Sequence, residues 1–135
     1  MSSTSQQSNL EIVKEAYDAF ARGAIDDVMA IMDTDIEWVE AEGAPYGGVY
    51  HGPEQVLENV FAMLAEEWDE YVVEPERFVE DGDTVVALGT EYGTYAETGK
   101  RFEAPFAHAV DLEDGTMVRF QQYVDTAVLN EPLVG

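Results

Sequence analysis

Four runs of alternating apolar and polar residues in the second half of the chain constrain its fold most strongly. Three turns separate these runs, at Asp81-Gly82, around Thr98-Gly99 and at Asp114-Gly115. An Asp-Gly pair between alternating segments is a strong signal for a β-hairpin. The sequence therefore predicts an antiparallel meander of four strands, which cover residues 71–79, 84–95, 102–112 and 116–124.

The first half of the chain has helical periodicity instead. Ser8 and Glu11 have the spacing of a capping box, in which the two residues satisfy each other's backbone groups at a helix start. Apolar residues then recur at helical spacing, and Gly23 is expected to end this helix. A second helix is predicted over residues 25–32. Pro53 opens a third helix, because proline fits the first helical turn.

The order of these elements predicts the fold class. Residues 35–40 alternate as in a strand, and residues 41–51 are predicted to form a loop. Helices, one strand, a helix and then a meander indicate an α+β fold, with helices packed on one face of a curved sheet. We expect one domain over residues 8–130, preceded by a disordered leader and followed by a tail over residues 131–135.

The composition narrows the class of protein. The 135 residues include 29 Asp and Glu but 6 Lys and Arg, which gives a net charge of −23. The acidic residues are spread along the chain, as expected for the surface of a cytoplasmic protein from a salt-accumulating halophile. This charge argues against nucleic acid and anionic membranes as partners. The absence of cysteine excludes disulfides and thiolate metal sites.

Several segments together resemble the SnoaL-like group of the nuclear-transport-factor-2-like superfamily, which is related to ketosteroid isomerases and polyketide cyclases. The resemblance covers about residues 8 to 130. The segments that carry it are EAYDAFARG (15–23), MDTDIEW (32–38), GPE (52–54), APFAH (104–108), DGTMVRF (114–120) and YVD (123–125).

The resemblance implies a cone-shaped fold, in which a bent, mixed but mainly antiparallel sheet wraps around N-terminal helices and encloses a pocket. It also implies a homodimer that pairs through the sheet and a small apolar molecule as ligand, without a cofactor. Members of the superfamily include isomerases, cyclases, hydrolases, dehydratases and binding modules, so the fold alone does not determine the activity.

Glu40 is the first of three candidate catalytic residues. Alternation places it on the same strand face as Ile36 and Trp38, so its carboxylate is expected to point into the core, where burial would raise its pKa. It lies seventeen residues after Gly23, a position that resembles the catalytic Asp of ketosteroid isomerases. The alternative is a glutamate at a strand end that turns out to solvent.

His108 and Asp125 are the other two candidates. His108 shares a strand face with Phe106 and Val110, so it is either a proton donor in the pocket or a hydrogen-bonded structural histidine. Asp125 ends the last strand, near the acid/base carboxylate that the resemblance to SnoaL-like cyclases implies. Its alternative role is the N-cap of a short helix over residues 126–130.

The remaining candidates would bind substrate rather than react with it. They are aromatic or polar side chains expected around the pocket or its mouth, and the alternative for the aromatic ones is a purely structural core. They are Tyr17, Trp38, Tyr46, Tyr50, His51, Phe61, Phe106, Gln122 and Tyr123. No metal-ligand spacing or phosphate-binding loop is present in the sequence.

The sequence thus favours a small cofactor-independent enzyme that transfers protons in an apolar carbonyl or ring-bearing metabolite, by isomerisation, cyclisation or hydration. The alternative is a binding or dimeric accessory domain without activity. The two donors that stabilise an enolate in ketosteroid isomerases fall on Ala16 and Ala107 here. This departure argues against steroid isomerase activity and supports the alternative.

The net charge leads to a prediction about salt. We expect the melting temperature to fall as KCl is reduced below about 0.5 M. At lower salt the screening is weaker, so the repulsion among surface carboxylates extends over a longer distance. Thermal melts in a KCl series test this. A melting temperature that stays constant from low to molar salt would contradict the halophilic interpretation.

Overall fold

A computed structural model describes residues 8–134 of the chain, so the predicted leader over residues 1–7 lies outside the described residues. In chain order the elements are α1 (Asn9–Ala21), α2 (Ile25–Ile31), β1 (Met32–Glu40), β2 (Gly48–His51), α3 (Pro53–Val56), a π-helical segment (Leu57–Phe61), α4 (Ala62–Glu67), β3 (Trp68–Asp81), β4 (Thr84–Tyr95), β5 (Arg101–Glu113), β6 (Thr116–Val124), α5 (Thr126–Asn130) and a 3-10 turn (Glu131–Leu133).

The first helix begins as its sequence predicts. The Ser8 hydroxyl accepts a hydrogen bond from the Glu11 backbone N–H at 3.1 Å, and the Ser8 N–H donates to the Glu11 carboxylate at 3.0 Å. This capping box satisfies two backbone donors that have no partner inside the helix. The chain leaves the helix through Gly23, whose φ of +76° is a left-handed conformation that suits glycine.

The six strands form one curved sheet in the order β2-β1-β6-β5-β4-β3. β1 and β6 run parallel, and every other neighbouring pair is antiparallel. The predicted α+β class and the mixed, mainly antiparallel sheet are therefore confirmed. The main core lies between the helices and one face of the sheet, with Val13 of α1, Ile36 of β1 and Val110 of β5 among its buried members.

The turns explain why the meander is predictable. Asp114 and Gly115 have φ values of +51° and +83°, the pair of left-handed residues that a tight β-hairpin of the I′ type requires. Strands β4 and β6 begin and end at the predicted residues. β3 and β5 extend one to three residues beyond the predicted ends, because their terminal residues also pair with β4 and β6.

Two glycines of β4 permit the close approach of β3. A Cβ atom at Gly89 would lie 2.1 Å from the carbonyl oxygen of Glu74, and one at Gly93 would lie 2.2 Å from that of Glu70. No other residue type fits at such distances, and the register between β3 and β4 shifts beside Gly89, between Pro75 and Arg77. This end of the sheet depends on glycine for its shape.

β1 begins at Met32, three residues before the predicted strand, and two further segments also differ from the prediction. The expected loop over residues 41–51 contains the strand β2, whose four residues pair with the end of β1 because edge pairing satisfies their backbone groups. Residues 131–133, which were predicted as part of a tail, form a 3-10 turn. Pro132 is buried, and its carbonyl accepts a hydrogen bond from the Thr98 hydroxyl at 2.5 Å. Within residues 8–134, no helix is long and apolar enough to cross a membrane.

Candidate active site

A cavity of about 80 Å³ lies between the helices and the inner face of the sheet. Its wall is mostly aliphatic and aromatic, and its polar side chains come from separate strands. They include Glu40 of β1, Glu91 of β4, His108 of β5 and Gln122 of β6. The ring-bearing side chains in the wall are Tyr17, Phe20, Trp38, Tyr46, Phe61, Trp68, Tyr71, His108 and Phe120.

Glu40 occupies the inward position that alternation predicts. It is the last residue of β1, and its residue surface is 8% exposed. The indole Nε1–H of Trp38, two residues earlier on the same strand face, donates a hydrogen bond to Glu40 Oε2 at 2.7 Å. Within residues 8–134, the second carboxylate oxygen has no protein donor. Glu40 therefore presents one oxygen to the cavity while the other is held in place.

The surroundings of Glu40 favour its neutral form. Burial raises the pKa of the Glu40 carboxyl to about 8 from an ordinary value of 4.5. The hydrogen bond from Trp38 opposes this rise, and the negative charge of Glu91 adds to it. A carboxyl group with this pKa exchanges its proton close to neutral pH, as general acid/base chemistry requires.

Gln122 stabilises the end of the strand that carries Glu40. Its side-chain oxygen accepts a hydrogen bond from the backbone N–H of Ala41 at 3.0 Å, and the residue is 5% exposed. β6 runs parallel to β1 and places Gln122 beside this strand end. Gln122, one of the predicted pocket residues, lines the cavity.

His108 is buried beside the cavity with its ring enclosed by aromatic side chains. The ring stacks on Phe106 at a centroid distance of 4.1 Å, and the ring of Phe120 lies at 4.7 Å. The Tyr17 hydroxyl and His108 Nδ1 form a hydrogen bond of 2.6 Å. The other ring nitrogen, Nε2, faces Glu91 Oε1 at 3.6 Å and has no hydrogen-bond partner among the described residues.

The sequence analysis did not identify Glu91, which is 2% exposed. The Tyr71 hydroxyl donates a long hydrogen bond to Glu91 Oε2 at 3.4 Å. Burial and the charge of Glu91 together raise the pKa of the Tyr17 and Tyr71 hydroxyls above the ordinary value, so both stay protonated. Glu91 shares the inner face of β4 with Val85 and Ala87, but residues 85–88 are all apolar, so the sequence pattern does not show which face of this strand is inward.

Other predicted residues of the cavity wall are also in place. Tyr17, Trp38, Tyr46 and Phe61 all contribute to the wall. The Tyr46 hydroxyl donates to Glu67 at 2.5 Å and accepts from the Trp68 indole at 2.9 Å, so the loop after β1 is tied to the start of β3. These aromatic side chains serve both as core and as cavity lining.

Asp125 and Tyr123 do not line the cavity, contrary to prediction. The Asp125 side chain is exposed and accepts a hydrogen bond from the Val128 N–H at 3.2 Å, as the N-cap of α5. Tyr123 is 54% exposed, because its neighbour Gln122 takes the inward position and consecutive strand residues face opposite ways. Asp125 is therefore a structural cap.

Three further predicted residues do not line the cavity. His51 is exposed at the end of β2. Tyr50 packs partly buried against the core, and its hydroxyl donates to the Tyr46 carbonyl at 2.7 Å. Phe106 is buried behind His108 and supports that ring. Residues 8–134 contain no group of three or more His, Cys, Asp or Glu that could hold a metal ion.

The raised pKa of Glu40 predicts how stability depends on pH. The folded protein holds this proton more tightly than the unfolded chain between about pH 4.5 and pH 8. The resulting stabilisation is complete below that window and is lost as the pH rises through it, by up to about 1.4 kcal/mol per pH unit. We expect Glu40→Gln to remove this slope from the free energy of unfolding, measured with denaturant at several pH values.

Glu42→Gln is the matched control. Glu42 is exposed and lies two residues after Glu40, and the substitution removes the same acidic group as Glu40→Gln. It should keep the slope of the original protein. If both variants and the original protein lose stability in parallel as the pH rises, Glu40 is not the source of the dependence.

Comparison with known proteins identifies the family. A SnoaL-like domain matches residues 13–120. The structure of an NTF2-like protein from Burkholderia thailandensis is similar with a TM-score of 0.94 and 35% identity, over 96% of this chain and 100% of that chain. An NTF2-like protein of unknown function from Burkholderia pseudomallei gives a TM-score of 0.88 and 28% identity, with the same coverage of both chains.

A third similar structure is TerC, which was co-crystallised with polyporic acid. Its TM-score is 0.85 and its identity 28%, over 94% of this chain and 98% of that chain. No curated protein matches the sequence. Since the matched domain spans well over half of the chain and the fold agrees throughout, the protein belongs to the family of SnoaL-like domains, with an NTF2-like fold.

Proposed function

We propose that the protein is a small cofactor-independent enzyme that transfers a proton within an apolar carbonyl or ring-bearing metabolite. The observation that carries this proposal is Glu40, a carboxyl group with a pKa of about 8 that faces an apolar cavity. General acid/base catalysis is most effective when the pKa of the catalytic group lies near the working pH. SnoaL-like and ketosteroid-isomerase-like folds commonly belong to isomerases and cyclases of this kind.

The proposed reaction begins at a carbon next to the substrate carbonyl. The ionised Glu40 carboxylate takes a proton from this carbon, and the electron pair of the C–H bond moves towards the carbonyl oxygen to give an enolate or enol. Glu40 then returns the proton to a different carbon, which completes an isomerisation. In a cyclisation, the nucleophilic carbon instead attacks a second carbonyl, and the proton goes to the new alkoxide oxygen.

The aromatic wall would position such a substrate. Trp38 stacks on Phe120 at a centroid distance of 3.8 Å, and Phe61 meets Trp38 edge-on at 5.6 Å. These rings offer flat apolar surface next to Glu40 and exclude water from its carboxylate. TerC, which was co-crystallised with polyporic acid, supports the view that a similar fold accommodates a small organic molecule.

A second candidate function is ligand binding without catalysis. Ala16 and Ala107 fall at the two positions where the resemblance to ketosteroid isomerases implies enolate-stabilising donors, and Ala107 does not line the cavity. Ala16 lines the cavity but offers no donor. The Tyr17 hydroxyl beside it is already bonded to His108. A domain of this kind would keep the cavity and show no turnover.

Deuterium exchange separates the two candidates. We expect the protein to accelerate the exchange of α protons for deuterium in at least one member of a panel of cyclic ketones in D2O, followed by proton NMR. Glu40→Gln should keep the fold and slow this exchange roughly 100-fold, the scale of a lost general base. Glu42→Gln should not slow it.

Two results of that experiment count against the enzyme. Exchange that proceeds equally fast in Glu40→Gln would mean that another group takes the proton. No acceleration by the original protein for any ketone, although the ketone binds, would favour the binding domain.

We also propose that two copies pair through the outer face of the sheet. This face carries partly exposed apolar and small residues that alternate with the buried ones, including Leu88 of β4 and Ala107 of β5, and the exposed ring of Tyr123. A single layer of helices leaves this face uncovered, and isologous pairing would cover it in both copies.

Light scattering in molar KCl tests the pairing. We expect a mass of twice the 15.0 kDa of one chain. Leu88→Glu should reduce the mass to that of a single chain, because it places two like charges in the buried interface. A mass near 15.0 kDa for the original protein would contradict the proposed dimer.

A further inference from the structure

We infer that Glu91 and His108 form a subsite that binds a hydroxyl group on the ring of the ligand. The two residues lie on β4 and β5 and line the same cavity as Glu40. The inference deepens the proposed function and rests on it in one respect, namely that this cavity receives the substrate. It assigns a substrate class: molecules that carry a phenolic or enolic hydroxyl group.

The first observation is an unpartnered donor in the cavity wall. The His108 side chain is 4% exposed and that of Glu91 is 2% exposed. His108 Nε2 has no hydrogen-bond partner among the described residues. Buried polar atoms in proteins nearly always have a partner, since an unsatisfied group loses its hydration without compensation. Nε2 is therefore a position at which a ligand atom would be stabilised.

The bonding of the opposite ring nitrogen indicates where the hydrogen lies. If the Tyr17 hydroxyl donates to Nδ1, the neutral imidazole carries its hydrogen on Nε2. A doubly protonated ring also has a hydrogen there. A neutral ring with its hydrogen on Nδ1 would instead point the Nε2 lone pair at Glu91 Oε1, which is unfavourable while Glu91 is charged. Nε2 thus acts as a donor and Glu91 Oε1 as an acceptor.

The distance between these two atoms suits one bridging oxygen. At 3.6 Å, Nε2 and Oε1 are too far apart for a good direct hydrogen bond, which spans about 2.7–3.2 Å. Nε2 is itself buried, so an oxygen that lies about 2.8 Å from both atoms displaces their side chains slightly. A hydroxyl group accepts from Nε2–H and donates to Glu91. A carbonyl or carboxylate oxygen cannot donate, and an ammonium group cannot accept.

The residues around this subsite indicate a ring as the carrier of the hydroxyl. Tyr71 donates to the other Glu91 oxygen, so Oε1 remains directed at His108. The rings of Tyr71 and Phe120 also belong to the cavity wall, and no Lys or Arg among residues 8–134 lines the cavity. Flat apolar walls with one donor and one acceptor match an aromatic or enolic ring and do not match an anion.

The experiment compares three probes that differ at one position: phenol, anisole and benzene. Phenol is the smallest aromatic alcohol, so it is the probe that needs the least expansion of a cavity of about 80 Å³. The chain has two histidines, so labelling with ¹⁵N-histidine gives two ring spectra. His51→Gln assigns them, because His51 is exposed and does not line the cavity. The readout is the Nε2 resonance of His108 and the dissociation constant of each probe.

We expect phenol to shift the His108 Nε2 resonance and to bind roughly 10-fold more tightly than anisole or benzene, the scale of one hydrogen bond to a charged group. Glu91→Gln should weaken the binding of phenol by a similar factor and leave the affinity for benzene unchanged. Glu40→Gln should leave the phenol shift intact. Glu40→Gln therefore tests the subsite independently of the catalytic role proposed for Glu40. A failure of that catalytic role would appear only in measurements of turnover.

Two outcomes would overturn the subsite. One is equal affinity for phenol and benzene in the original protein with no change at Nε2, which would mean that water satisfies both groups and no ligand hydroxyl displaces it. The other is a Glu91→Gln variant that binds phenol and benzene less tightly by the same factor. That result would mean that Glu91 maintains the packing of the cavity and does not bind the hydroxyl group. The comparison of probes in the original protein does not depend on whether the variant folds.

Discussion

The candidate site depends on one hydrogen bond, which the Trp38 indole donates to the Glu40 carboxyl at 2.7 Å. A carboxyl group buried in an apolar wall is destabilising unless it has a partner. Trp38 provides that partner from the same strand face, so the pleat of β1 alone brings donor and acceptor together. The bond fixes one oxygen of Glu40 and leaves the other directed at the cavity. Burial then raises the pKa towards neutrality.

The distribution of charge supports a functional role for the two buried carboxyl groups. The chain has 29 Asp and Glu, and the two that the structure buries are Glu40 and Glu91. An acidic surface explains the net charge. It does not explain why Glu40 and Glu91 are buried, because burial is costly for a charged group. Both lie in the wall of one cavity, with Tyr17, Tyr71 and His108 as neighbours, and this is why we place the proposed site there.

Much of the fold follows from local sequence signals. The Asp-Gly turns, the capping box at Ser8 and the alternation in β6 each specify their own geometry, so their prediction needs no tertiary information. β2 has no comparable signal, because four residues within a glycine-bearing loop form a strand only by pairing with β1. The burial of Pro132 likewise depends on packing against a distant turn at Thr98.

The residues of the candidate site also differ in how far the local sequence predicts their positions. The inward position of Glu40 was one of two predicted alternatives, because Ile36 and Trp38 define a face but a residue at a strand end can also turn to solvent. Glu91 was not predicted, since residues 85–88 of β4 are all apolar and give no phase for the strand. Asp125 had two physically sound roles, and the start of α5 decides for the cap. Gln122 and Tyr123 are adjacent on one strand, so at most one of them could face inwards.

The central claim is that Glu40 is a buried carboxyl group that titrates near neutral pH. The most direct test is carbon-13 NMR of the glutamate side-chain carboxyl groups, followed from pH 4 to about pH 10 in molar KCl. We expect one resonance that titrates near pH 8 and is absent from Glu40→Gln. If the resonance lost in that variant titrates with the exposed glutamates near pH 4.5, the carboxyl faces water and the proposed site is wrong at its centre.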